Sequence, residues 1–353
     1  MKPRMIYLSL ALCLAGLPAC QDDLTGPQDP SLKNEGPPIV VMTRNLYVGA
    51  DLDAVIGALV SPDPDDDLPA LGQAIATMQA TDFGARAAAI VAEIARHRPA
   101  AIGLQEVSTI EIPTAQGILV IDFLPILQAM LAASGLDYTV AAEVTNIDLT
   151  LPFGARLVDK DVLLVAGGAQ ILSTSSGNYA ADLPLGFVTI KRGWARADLR
   201  MAGKTMTVVS THLESGPGGP GLVRQAQAVE LVGLLPSGNA VIVMGDLNDG
   251  PGSPMYGILT GGGLLDVWAS VAPGQPGYTC CHVADLSNPT ANLSQRIDYV
   301  MVRGGFTTGS GKLVGGARAE IIGEEPGDRV AGPFGFIWPS DHAGVVASLP
   351  PAR

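Results

Sequence analysis

Apolar and polar positions along this chain fall into short recurrent runs rather than one sustained period. Nearly continuous apolar stretches occupy Ile39–Met42, Ala101–Leu104, Tyr138–Val144, Val162–Val165, Phe187–Ile190, Thr205–Ser210, Ala240–Met244, Ile297–Val302 and Gly344–Leu349. Short β-rich runs without polar alternation suit strands whose two side-chain rows both meet apolar neighbours, in a covered sheet or between two sheets. Two stretches instead repeat at helical spacing, Phe83–Arg96 (FGARAAAIVAEIAR) and Leu222–Leu235 (LVRQAQAVELVGLL). Asp82 stands where an N-cap accepts from free backbone N–H groups, and Pro99 lies just beyond the first helix. Strands interleaved with helices predict α/β layers, with helices covering sheet faces.

Composition sharpens this pattern. Gly 43 and Pro 27 with only 16% charged residues favour many short strands joined by turns. A hydrophobic content of 47% is ample for a core in 353 residues. From Pro38 onward no second linker, internal repeat or further apolar span interrupts the pattern, so residues 38–350 are read as one domain. A monomer is expected.

The first residues follow a different logic. Residues 1–20 read MKPRMIYLSLALCLAGLPAC: Lys2 and Arg4 give a basic start, and Ile6 to Leu17 an apolar stretch too short to span a bilayer. Leu17-Pro18-Ala19-Cys20 resembles a bacterial lipobox, whose cysteine is acylated and becomes the new N-terminus. Residues 1–19 are therefore read as a lipoprotein signal and Cys20 as the lipidation site, the alternative being an ordinary cleaved signal. Residues 20–37, rich in Pro, Gly and Asp, read as a flexible tether. A membrane partner through the anchor and a place in the bacterial cell envelope follow as expectations. With Gln21 after the cysteine, a Gram-negative host would direct the protein to the outer membrane. Cys280 and Cys281 remain, open to a vicinal disulfide, to pairing with another molecule, or to two plain structural thiols.

Net charge is -13, and loss of Lys2 and Arg4 with the signal would take it to -15. So acidic a chain repels a phosphate backbone at long range, which argues against tight non-specific nucleic-acid binding. An aromatic content of 5% weakens the case for a base-stacking platform. A phosphate substrate stays open, because a bound divalent metal reverses the local sign.

Polar residues stand repeatedly at strand ends. Asn45 follows IVVMTR, Glu106 follows AIGLQ, His212 follows TVVST, and Asp246 and Asn248 follow AVIVMG. Asp298 lies in RIDYVMV, and Asp341-His342 precedes AGVVASL. One Asp after a strand is usually a turn or cap residue. Eight such residues can meet in one cleft, because strand ends converge at a sheet edge. Carboxylate and amide oxygens suit Mg²⁺ or Mn²⁺, and the Asp and His members suit proton transfer. Phosphoester hydrolysis needs an activated water, neutralised phosphoryl oxygens and a stabilised leaving oxygen, and this set can supply all three.

The ordered segments TRN (Thr43–Asn45), LQEV (Leu104–Val107), STHLES (Ser210–Ser215), GDLND (Gly245–Asp249), RIDYV (Arg296–Val300) and SDH (Ser340–His342) resemble the endonuclease/exonuclease/phosphatase superfamily. The resemblance runs from about Val40 to Leu349 and implies a four-layer α-β-β-α sandwich of two mixed sheets flanked by helices. It implies Glu106 as principal metal carboxylate, with Asn45 and Asp341 beside it. Asp246 and Asn248 would orient or activate water and hold phosphate. His342 would contact the scissile phosphate, with Asp298 fixing its tautomer, and His212 would stabilise phosphate or protonate the leaving oxygen. Whether Asp246 or His342 is the base stays open. Asp161 could be a further catalytic acid or a strand-start turn residue, and Arg196 could reach a phosphate or form a surface ion pair. The implied activity is Mg²⁺-dependent (Mn²⁺ as substitute) hydrolysis of a phosphodiester or phosphomonoester. Nucleic acid, a phospholipid head group of the sphingomyelin type and a small phosphoester are the substrate classes. A surface lipoprotein that kept the fold for binding alone is the non-enzymatic alternative.

Overall fold

Eight of the nine apolar runs become strands of two mixed sheets; the ninth, Phe187–Ile190, yields only the two-residue strand Thr189–Ile190 of a separate hairpin, because Gly186 (φ 87) turns the chain back on Leu183–Pro184. The computed structural model describes residues 37–350 apart from 64, 152, 153, 187, 202 and 217; the expected signal, Cys20 and nearly all of the tether lie outside the described residues. With strands numbered in chain order, the first sheet holds β1 (Ile39–Asn45), β2 (Ala101–Gln105), β3 (Thr109–Thr114), β4 (Gly117–Asp122), β5 (Tyr138–Thr150), β6 (Arg156–Ala166), β15 (Arg318–Ile322) and β18 (Gly344–Leu349). Its order is β15–β18–β1–β2–β6–β3–β4, with β5 also paired to β6. The second sheet holds β7 (Gln170–Asn178), β10 (Gly193–Met201), β11 (Lys204–His212), β12 (Ala240–Asp246), β13 (Leu265–Asp266) and β14 (Asp298–Arg303), in the order β13–β14–β12–β11–β10–β7. The pairs β1–β2 and β11–β12 are parallel and the rest antiparallel. Two short hairpins, β8 (Leu183–Pro184) with β9 (Thr189–Ile190) and β16 (Val330–Gly332) with β17 (Gly335–Ile337), stand apart.

The described residues also hold seven α-helices: α1 (Leu52–Val60), α2 (Asp67–Ala80), α3 (Phe83–His97), α4 (Phe123–Ala133), α5 (Gly219–Leu234), α6 (Pro254–Gly261) and α7 (Val267–Val271). The Asp82 side chain caps α3 by accepting from the Gly84 N–H, as its position predicts. Side-chain alternation along each strand sorts the core into layers. Met42, Ile102 and Leu164 pack with Phe83 and Ile90 of α3 and Leu127 of α4. Their neighbours Val41, Ala101 and Leu163 turn the other way and meet Val208, Ile242 and Val300 of the second sheet. The outer face of that sheet, through Val209, Val243 and Met301, packs on Leu231 of α5 and Leu259 of α6. Three apolar layers between helix, sheet, sheet and helix make the four-layer sandwich that the resemblance implied.

Two devices fix the loops above the strand ends. Gly103 lets the sheets close up, since a Cβ there would stand 2.9 Å from Ser210 Oγ. Beside it, Thr43 donates to Gln105 Oε1 at 3.1 Å and Gln105 Nε2 donates to Ser210 Oγ at 3.3 Å, tying β1, β2 and β11 together. The fully buried Arg86 of α3 donates to the carbonyls of Thr81 (2.8 Å), Tyr47 (2.9 Å), Pro339 (3.2 Å) and Leu46. It thus holds the loops that carry Asn45 and Asp341. Arg86→Met keeps the volume but orphans these carbonyls, and is expected to lower unfolding stability by about 3–5 kcal/mol in a urea titration. A loss below about 1 kcal/mol would remove Arg86 from this role.

Candidate active site

Register brings the predicted residues together. Asn45 lies opposite Gln105 across β1–β2, so Glu106 follows directly beside it. His212 lies opposite Asp246 across β11–β12, and Asp246 opposite Asp298 across β12–β14. At these ends the chain turns through left-handed backbone at Tyr47 (φ 56), Glu106 (φ 54) and Asn248 (φ 53). Each such non-glycine residue costs on the order of 1–2 kcal/mol, so the surrounding contacts hold these side chains in place.

Asp246 is at the centre. Its Oδ1 accepts the Asn248 backbone N–H at 2.9 Å. Its Oδ2 lies 3.2 Å from Asn45 Nδ2, 3.6 Å from His212 Nε2 and 3.8 Å from His342 Nδ1. Asn45 Nδ2 also donates to Glu106 Oε1 at 2.9 Å, and Glu106 Oε2 accepts the Val48 N–H at 3.0 Å. Asp298 Oδ2 sits 2.8 Å from His342 Nδ1, while the Asp298 N–H donates to Thr279 Oγ1 at 3.1 Å. Because a carboxylate only accepts, His342 carries its proton on Nδ1 there, which leaves Nε2 for a ligand. Burial alone would lower the His342 pKa, but Asp298, Asp341 and Asp246 outweigh it and raise it well above the ordinary imidazole value.

The second histidine is built differently. Asn248 Nδ2 lies 3.0 Å from His212 Nε2, and Asp161 Oδ1 lies 3.7 Å from His212 Nδ1. Burial and Arg192 depress this imidazole, but Asp161 and Asp246 raise it further. Asp161 is fully buried and therefore belongs to the cluster rather than to a solvated turn. Asp341, beside His342, is pushed up to about 7 by burial and by the nearby Glu106 and Asp246 carboxylates, against the pull of His342 and Arg86.

Three residues of the site were not anticipated. Arg192, just before β10, places Nη1 3.1 Å from His212 Nδ1 and pairs with the buried Glu214 at 3.3 Å. Asp159, two residues before Asp161 and so on the same face of β6, is pushed up to about 7 by burial and by Asp161 and Glu106. Asn146 of β5 bridges the pair, 2.8 Å from Asp161 Oδ2 and 3.4 Å from Asp159 Oδ2. Arg192 and Asp159 left a trace in the sequence only as charges at strand edges, in KRGW and VDKDV, and Asn146 left none. Arg196 is not brought to the cluster. It lies opposite Val209, three residues and roughly 10 Å short of His212, and pairs with Asp198 at 3.1 Å.

Around the cluster opens a cleft of about 350 Å³, lined by Tyr47, Asp51, Glu106, Arg192, His282 and Asp341, among others. His282 stacks on the buried Trp338 with ring centroids 4.2 Å apart, and burial holds its pKa down at about 4, so it is neutral. Cys280 and Cys281 are joined in a disulfide, with Cys281 Sγ 4.0 Å from His342 Nε2.

The chemistry of the donors fits a divalent cation. Glu106, Asp341 and Asp246 bring carboxylates together, and Asp298 Oδ1 and Asp161 Oδ1 are buried without a hydrogen-bond partner. Donor atoms of Asp246, Asp298 and His342 also lie within 4.8 Å of one another. The 2.8 Å bond from His342 to Asp298 already uses that imidazole nitrogen, so this trio is better suited to proton handling.

The pattern of the Endonuclease/Exonuclease/phosphatase family matches residues 72–342. Among curated proteins, none matches this sequence. Solved structures share the fold. An endonuclease/exonuclease/phosphatase from Bacteroides vulgatus is 17% identical with a TM-score of 0.54, covering 88% of this chain and 98% of its own. One from Beutenbergia cavernae is 21% identical with a TM-score of 0.56, covering 90% of this chain and 72% of its own. A truncated TDP2 from Caenorhabditis elegans is 15% identical with a TM-score of 0.51, covering 89% of this chain and 97% of its own. Since the matched residues take in five of the six ordered motifs, from LQEV to SDH, the chain belongs to the Endonuclease/Exonuclease/phosphatase family.

Proposed function

We propose that this chain hydrolyses a phosphodiester or phosphomonoester outside the cytoplasm, with Mg²⁺ as its cofactor and a lipid anchor at Cys20. Members of the family are generally divalent-metal-dependent hydrolases of phosphoesters. The observation that carries the reading is Asp246 Oδ2, placed within 3.2–3.8 Å of Asn45, His212 and His342 at the end of one strand.

Glu106, Asn45 and Asp341 are the residues that would hold the metal. When bound, it would lower the pKa of water and neutralise phosphoryl oxygens. The rest is the chain's own chemistry. His342, kept protonated by three carboxylates, donates from Nε2 toward a phosphoryl oxygen, and Asp298 fixes the ring. Asp246 Oδ2 then accepts the proton of the attacking water, with Asn45 Nδ2 holding that oxygen in place. His212, oriented by Asn248 and Asp161 and crossed by Arg192, meets the leaving oxygen. Arg192 adds a fixed positive charge to a site otherwise rich in carboxylates.

The test is a substrate panel with Mg²⁺: plasmid DNA, sphingomyelin, phosphoinositides and simple chromogenic esters. Turnover of at least one is expected, and turnover of none would favour the binding-only alternative. The anchor rests on Lys2, Arg4, the short apolar stretch and LPAC at residues 17–20. Cys20→Ser is expected to move the protein from the membrane to the soluble fraction on cell fractionation, and unchanged fractionation would contradict lipidation.

A further inference from the structure

We propose that Cys280, Cys281 and the Nε2 of His342 form a second metal site, for a thiophilic cation such as Zn²⁺ or Cd²⁺. The site is open when the two cysteines are thiols and shut when they are joined as a disulfide. A cation bound there takes the nitrogen from which His342 donates, and so blocks turnover. The blocking rests on the phosphoesterase reading above, whereas the binding does not.

Three observations carry this site. First, its donors converge. Ligand atoms of Cys280, Cys281 and His342 lie within 4.8 Å of one another, with Cys281 Sγ 4.0 Å from His342 Nε2. Sulfur and imidazole suit soft cations, whereas Asn45, Glu106 and Asp341 offer oxygen to Mg²⁺. Second, the imidazole is already oriented as a ligand. Its Nδ1 is bonded to Asp298 Oδ2 at 2.8 Å, and a carboxylate behind the ring is the usual support of a metal-bound histidine. Third, the backbone holds the cysteines beside the histidine without help from the disulfide. Cys280 pairs with Gln295 on one side and with His342 on the other. The Ala343 N–H donates to the Thr279 carbonyl at 2.7 Å, and the His282 N–H to the Asp341 carbonyl at 2.8 Å. Both flanks of the cysteine pair are thus tied to the segment that carries His342.

Cys280 is buried and Cys281 only partly so, which leaves the Cys281 sulfur for a reductant to reach. A dithiol such as dithiothreitol passes two electrons to the pair. The Sγ–Sγ bond breaks, each cysteine sulfur takes a proton from the dithiol, and dithiothreitol leaves as its cyclic disulfide. No longer bonded to each other, the sulfurs separate by rotation about χ1 and can take the bonds of about 2.3 Å that Zn²⁺ makes to thiolate. Binding releases the protons of both thiols and of Nε2. In an oxidising compartment the disulfide keeps the site shut and His342 free.

The experiment adds Cd²⁺ to the whole chain in excess Mg²⁺, once as the disulfide and once after reduction and anaerobic removal of dithiothreitol. The reduced protein is expected to gain an ultraviolet thiolate-to-Cd²⁺ charge-transfer band that saturates at equimolar Cd²⁺. Its turnover of a chromogenic phosphodiester is expected to fall about 10²-fold. The disulfide form is expected to show neither change. The double variant Cys280→Ser/Cys281→Ser leaves Cys13 and Cys20 in place, so any band from those two persists in it, and thermal melts check its fold. In reduced protein, His342→Ala is expected to weaken Cd²⁺ binding by about one to two powers of ten. No band on reduction, or an equal band in the disulfide form or the double variant, would overturn the site. A band with turnover unchanged, or with full affinity in His342→Ala, would overturn the part given to His342. Failure of every ester would overturn the phosphoesterase reading instead, and the band would still decide the site.

Discussion

Asp246→Asn is expected to reduce kcat about 10³- to 10⁴-fold at saturating Mg²⁺ while leaving the fold intact. The amide has the same shape, and its remaining oxygen can still accept the Asn248 N–H that Oδ1 accepts at 2.9 Å. What changes is the other position. An NH₂ would replace Oδ2 and face Asn45 Nδ2, another donor, at 3.2 Å, and it has no basicity to offer a water. His342→Ala should cost a similar factor by removing the donor toward the phosphoryl oxygen. If the two act in one proton-transfer unit, the double variant loses much less than the product of the single losses. Steady-state kinetics on the three variants, with circular dichroism to check folding, decides the point. Wild-type-like kcat in either single variant would remove that residue from the mechanism.

Glu106→Gln is expected to fail differently. The amide oxygen can still accept from the Val48 N–H, which Oε2 does at 3.0 Å, so the left-handed turn at Glu106 is kept. The lost negative charge weakens the hold on a divalent cation. The Mg²⁺ concentration at half-maximal activity should rise by about one to two powers of ten, with kcat largely restored by excess metal. Activity titrated against Mg²⁺ measures this. A fall in kcat with an unchanged half-saturation point would make Glu106 a proton-transfer or structural residue instead.

The fold was legible where burial dictates composition. Strands covered on both faces, such as β1, β2, β12 and β18, are apolar along most of their length, and every one was visible as a run. β10 was not, because GWARADLRM alternates buried and half-exposed residues, and its Arg and Asp side chains break up the apolar signal. β7 (QILSTSSGN) is almost wholly exposed at a sheet edge, where nothing demands apolar residues. Ile297–Val302 appeared as a strand that in fact begins at Asp298.

The candidate site followed the same rule. Residues closing apolar strands, such as His212 and Asp246, stood out because polarity appears abruptly there. Arg192 and Asn146 reach the site from strands whose surroundings are already polar, so their own polarity carried no signal. Only pairing revealed them: Gly193 opposite His212, and Asp161 opposite Val144, two residues from Asn146.

All of this converges on one claim, that residues drawn from six strand ends form a single metal-dependent phosphoesterase site. The direct measurement is hydrolysis of a chromogenic phosphodiester by the whole chain, first in excess chelator and then after Mg²⁺ is restored. The account requires turnover that disappears with the chelator and returns with the metal. Turnover that the chelator leaves unchanged, or its absence at every Mg²⁺ concentration on every phosphoester tried, would contradict it.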